Sequence, residues 1–74
     1  MTIMQKLATL IDERLQERSF CLVFAPDLER CWPSEKMDSA ERQRQVQAFA
    51  RAHGWQAWVL PIESGMRAIF RLDA

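Results

Sequence analysis

Apolar residues recur along the chain with helical spacing in two stretches and as near-continuous runs in three others. The first helical stretch places Ile3, Leu7, Leu10, Ile11 and Leu15 on one side, with Met4 beside them. Asp12, Glu13, Gln16, Glu17 and Arg18 fall largely on the other side. The pattern predicts an amphipathic helix over residues 2–18, capped by Thr2 and uninterrupted by Gly or Pro. Asp38 to His53 is the second such stretch. Asp38 and Glu41 have capping-box spacing, and Gly54 supplies a stop. Its stripe is Val46, Phe49, Ala50 and His53. Ser39 to Gln45 is polar nearly all round apart from Ala40, so the C-terminal half is expected to pack and the N-terminal half to project.

The runs read as strands. Phe20-Cys21-Leu22-Val23-Phe24-Ala25 is short and β-rich, and Pro26 is expected to end it. Being apolar on both faces, it predicts a strand covered on both sides or placed mid-sheet. Trp55–Ile62 and Met66–Leu72 flank Glu63-Ser64-Gly65, which is a hairpin signal. A three-residue loop there pairs Ile62 with Met66, Leu60 with Ala68 and Trp58 with Phe70. One face is then almost purely apolar: Trp58, Leu60, Ile62, Met66, Ala68, Phe70 and Leu72. The other mixes Trp55, Ala57, Val59 and Pro61 with Arg67, Ile69 and Arg71. A two-residue loop at Ser64-Gly65 pairs Pro61 with Ala68 and Val59 with Phe70, turning Trp58, Leu60 and Ile62 toward the arginines. The first register segregates the apolar side chains better and is the expected one.

Residues 27–37 decide the architecture. Read as a loop, they give a two-layer α+β domain of order α-β-α-β-β with a C-terminal β-hairpin. Both helices then cover one sheet face, and Trp55–Ile62 takes an edge because Pro61 cannot donate to a ladder. Met66–Leu72 lies centrally. Leu28, Cys31 and Trp32, however, also fall at the spacing of a single helical turn that Pro33 would stop. With that turn helical, the order α-β-α-α-β-β is similar to that of a winged-helix domain. The resemblance is one of topology, and it implies that residues 38–53 would enter a DNA major groove, with 63–65 as the wing.

Length and charge narrow the function. At 74 residues the chain has room for one domain, spanning 1–74, with an expected stability of roughly 4–11 kcal/mol. Net charge is zero but uneven: residues 1–41 hold five Lys/Arg and eight Asp/Glu (5 − 8 = −3), and residues 42–74 hold five Arg and two acids (5 − 2 = +3). This asymmetry reads as scatter over solvated faces or, as the alternative, as a basic surface on the second helix and the hairpin. Cys21 and Cys31 form no CxxC, and His53 is the single histidine, so neither a metal site nor a catalytic base is expected. The two glycines, Gly54 and Gly65, make no phosphate loop. With no basic leader, no long apolar run and reduced thiols, the chain reads as cytoplasmic, without membrane contact.

The resulting expectation is a non-enzymatic interaction domain with no cofactor, metal or small-molecule substrate. Its partner is another protein or a second copy, docked on the mixed apolar and basic sheet face. The expected interaction residues are Trp55, Arg67, Ile69 and Arg71 on the hairpin and Arg42, Arg44 and Arg51 on the helix. DNA binding through helix 38–53 is the alternative.

Overall fold

The computed structural model describes residues 2–62 and 65–72 of the chain. Three helices and three strands follow in the order α1 (Ile3–Glu17), β1 (Phe20–Val23), α2 (Ala25–Cys31), α3 (Ser39–Ala52), β2 (Trp55–Ile62) and β3 (Gly65–Leu72). The class is α+β with a C-terminal strand pair. The expected order α-β-α-β-β gains a helix, α2, and becomes that of the alternative, so residues 27–37 are not simply a loop. Pro26 does not merely end a strand. It sits in the first turn of α2, where its missing N–H would have had no helical partner anyway.

Local chemistry accounts for the helix ends. Thr2 accepts from the Gln5 backbone N–H at 3.1 Å while Gln5 Oε1 accepts from the Thr2 backbone N–H at 2.8 Å, a reciprocal capping box. At α3, Asp38 accepts from the Glu41 N–H at 2.8 Å. The Glu41 carboxylate turns instead to Arg44 and Gln45. Gly54 follows the C-cap with φ of 76°, the left-handed conformation that closes α3 and feeds β2.

The strands form one antiparallel sheet of order β1-β3-β2. Met66–Leu72 is therefore central and the Pro61 strand is an edge, as its missing donor requires. β1 is the other edge, contrary to the expectation of a strand covered on both sides or placed mid-sheet. The hairpin register also differs from both loops expected. Ile62 pairs with Gly65, Leu60 with Arg67, Val59 with Ala68 and Ala57 with Phe70. Residues 63–64, and with them most of the expected wing at 63–65, lie outside the described residues.

This register keeps β3 as expected and turns β2 over. Ala68 and Phe70 face the helices. On β2 the inward residues are Trp55, 4% exposed, Ala57 and Val59, while Trp58 and Leu60 stand outside at 44% and 38% exposed. Space under α3 explains the choice. Ala50 of α3 and Ala57 of β2 are both buried. The small pair lets the helix approach the sheet closely, and Ala57 leaves room for the Phe70 ring beside it. Trp58 and Leu60 in those places would overfill the layer. Leu7, Ile11 and Leu15 of α1, Leu28 of α2, Trp32, and Val46 and Ala50 of α3 complete a single core. Within it, Phe49 meets Trp32, Trp55 and Phe70 in edge-to-face contacts at 5.4, 6.0 and 6.2 Å.

Candidate functional site

All three helices contribute to the core on the inner side of the sheet, which leaves its outer side uncovered. By register the outer positions form cross-strand rows. One row is Phe20–Arg71–Gln56, the next Leu22–Ile69–Trp58, and the next Arg67–Leu60. An apolar band thus crosses all three strands, with an arginine above and below it. Phe20 and Arg71 are exposed, and Leu22, Arg67 and Ile69 are half-buried. Among the described residues of these rows there is no acid.

The band is apolar because β1 and β2 each carry apolar residues at both parities. Their inner members fill the core, and of their outer members Phe20, Trp58 and Leu60 are exposed while Leu22 is half-buried. Arg67 lies along this surface with its Nε–H buried and without a hydrogen-bond acceptor among the described residues. A buried donor left unpaired costs about 1–3 kcal/mol.

The expected interaction residues divide between inside and outside. Arg67, Ile69 and Arg71 share the outer face. Trp55 does not: it is in the core, stacked on His53 at 4.8 Å and 18°, and its place on the mixed face passes to Trp58. Leu60 likewise replaces Val59. Arg42 is also withdrawn, at 8% exposed, because α2 presents Glu29 to it across an ion pair of 3.1 Å. Glu29 is held below the usual carboxylate range by the Ser34 hydroxyl, then by the Ser34 backbone N–H, with Arg42 a smaller influence. Arg44 is exposed yet engaged by Glu41, which raises its pKa and lowers that of Glu41. Arg51 is exposed at the β2 border, in a shallow groove with Gln47, Gln56, Ala57 and Trp58. It is the helix arginine that the fold brings beside the sheet residues.

Phe20, Leu22, Trp58 and Leu60 are the surface residues that pattern reading assigned elsewhere. A readable signal was Ala57, the one small residue available to lie beneath a helix. No group of three or more His, Cys, Asp and Glu side chains gathers among the described residues. Both cysteines are free thiols, with pKa values raised chiefly by burial; for Cys21 a neighbouring Arg14 partly offsets this. No helix among the described residues is long and apolar enough to cross a membrane.

No family model, curated protein or solved structure matches this chain. The reading of function rests on the geometry alone.

Proposed function

We propose that this chain is a small, non-catalytic protein-interaction domain that docks an acidic partner on its uncovered sheet face. The observation that carries the reading is the Leu22–Ile69–Trp58 band flanked by Arg67 and Arg71. An apolar centre with charged groups at its rim is the usual anatomy of a protein interface, and tryptophan and arginine are its commonest anchors. The two arginines select carboxylates. The free thiols suit a reducing compartment such as the cytoplasm.

Selection of peptides from a random displayed library tests this directly. Binders should carry Asp or Glu on either side of apolar or aromatic residues. Their affinity should fall about tenfold or more in Trp58→Ala and in the pair Arg67→Glu, Arg71→Glu. Binders without acids, or binding indifferent to these substitutions, would overturn the reading.

A second reading has its own support. A helical segment at Ala25–Cys31 and the strand order β1-β3-β2 give the element order similar to a winged-helix domain, with α3 as the groove-entering helix. The charges favour it less. Arg42 is buried against Glu29 and Arg44 is tied to Glu41, which leaves Arg51 as the exposed α3 arginine outside those pairs. Duplex DNA binding that weakens steeply with salt would support it, and no binding at low salt would remove it.

A further inference from the structure

We propose that β1 is a pairing edge whose occupant is the β1 of a second copy of this chain. The two strands run antiparallel about a two-fold axis and join the sheets into one of six strands. This site is the sheet's edge; it shares Phe20 and Leu22 with the face proposed above, and Phe24→Lys and Trp58→Ala tell the two apart.

An edge strand offers a row of unpaired N–H and C=O groups, and monomeric proteins guard such edges with charge, proline, bulges or a covering element. β2, the opposite edge, has Pro61. β1 carries no such guard of its own: Phe20-Cys21-Leu22-Val23 contains neither a charge nor a proline, and the charges beside it belong to the C-terminal end of α1. The backbone stays extended through Phe24, at φ −97° and ψ 169°, before α2 begins. Backbone pairing therefore spans Phe20 to Val23, and Phe24, whose carbonyl already accepts from the Asp27 and Leu28 N–H groups, contributes its side chain. Along them runs a groove of about 380 Å³, lined by Phe20, Leu22 and Phe24 and by Arg14, Glu17 and Arg18 of α1.

The pattern of this segment identifies the occupant. Its outer residues read Phe20, Leu22, Phe24, which is the same in both directions. In an antiparallel pair, residues directly opposite share a face, so a two-fold axis at Leu22 sets Leu22 against Leu22 and Phe20 against Phe24 of the other copy. On the inner side Cys21 meets Val23. Phe20 and Phe24 are each about half exposed in the single chain, at 43% and 51%, and both gain an aromatic partner. The groove holds both signs of charge, so Glu17 of each copy is offered the arginines of the other. Zero net charge removes any long-range repulsion between copies. An isologous contact of this kind closes at the dimer and does not propagate.

Sedimentation equilibrium over a concentration series tests the proposal. The wild-type chain should dimerise. Leu22→Lys places like charges directly across the axis and should weaken the dimer about tenfold or more, as should Phe24→Lys, while far-UV circular dichroism stays unchanged. Trp58→Ala, two strands away on the same face, should leave the dimer intact. Mild oxidation provides a second readout. In a Cys31→Ser background, Leu22→Cys should form a disulfide-linked dimer, and Ile69→Cys, one strand further in, should not. A strict monomer up to about 1 mM would overturn the proposal. So would an unchanged dimer in folded Leu22→Lys and Phe24→Lys, or equal cross-linking at positions 22 and 69. A dimer lost in Trp58→Ala but kept in Leu22→Lys would transfer self-association to the sheet face.

Discussion

The register of β2 can be tested with one substitution made at two places. Trp55 and Trp58 are three positions apart in the same strand and point to opposite faces. Trp55 is 4% exposed and meets Phe49, Phe70 and His53 at 6.0, 6.2 and 4.8 Å. Truncating a tryptophan so enclosed loses its transfer energy and leaves a cavity, at a cost of about 3–5 kcal/mol. Trp58 has 44% of its surface in water, and truncation there opens no enclosed cavity. A tryptophan has up to about 250 Å² to bury. Trp58 therefore hides on the order of 100 Å² more than alanine would. At about 25 cal/mol per Å², less the share already buried in an unfolded chain, this is below about 2 kcal/mol. The two variants should thus differ by about 1 kcal/mol or more. With a urea slope near 1 kcal/mol per molar for a chain of this size, the midpoint of Trp55→Ala should lie about 1 M or more below that of Trp58→Ala. Far-UV circular dichroism at dilute protein is the suitable probe, since each variant loses a fluorophore. Equal midpoints, or a lower one for Trp58→Ala, would refute the register and with it the composition of the outer face.

Three smaller perturbations check other parts of the fold. Gly54 has φ of 76° with open space where a Cβ would stand, so Gly54→Ala should cost about 1 kcal/mol from backbone strain alone, read as a lower urea midpoint. Asp38→Ala removes the acceptor for the Glu41 N–H and should cost about 1 kcal/mol, whereas Asp38→Asn should recover most of it. The Cys21 thiol is held above its ordinary value of 9.0 by burial, so its contribution to stability is complete below that value and fades as pH rises through and past it. Urea midpoints from about pH 8 to about pH 10.5 should therefore fall, and fall less in Cys21→Ala.

Much of the architecture could be read from the pattern, because helices with one apolar stripe and proper caps carry redundant signals. Thr2 and Gln5, Asp38 and Gly54 mark the ends of α1 and α3 by local chemistry that needs no tertiary context. β3 was legible for a similar reason: Ala68 and Phe70 alternate with Arg67, Ile69 and Arg71, and two of the outer three are charged. β2 offers no such contrast. Apolar residues stand at both parities, Trp55, Ala57 and Val59 on one and Trp58 and Leu60 on the other, and Gln56 is the single polar mark on the second. One glutamine is a weak signal beside a tryptophan and a leucine. The deciding quantity is volume beneath α3, which belongs to the packed layer and not to the strand. Arg42 was illegible for a different reason. Its partner Glu29 lies on α2, a helix of seven residues, too short to show a sustained period.

The outer face persists even though the residues assigned to it changed, and the physical reason is economy of cover. A three-stranded sheet has two sides, and all three helices of this chain are committed to one of them. Whichever parity of β2 turns inward, the other parity must remain outside beside Arg67 and Arg71. The true register makes that side more apolar than the expected one, because Trp58 and Leu60 take the place of Trp55 and Val59. It also aligns Trp58 with Ile69 and Leu22 in a single row that reaches the unguarded edge of β1. Pairing at that edge would continue the row into a second copy and double its length. A domain too small to enclose a deep cleft would gain in this way a binding surface with a repeated apolar centre and arginines on both margins. Affinity for a bivalent acidic partner would then depend on the edge as well as the face. Leu22→Lys should reduce such binding more than binding of a single short peptide, since only the former uses both copies at once.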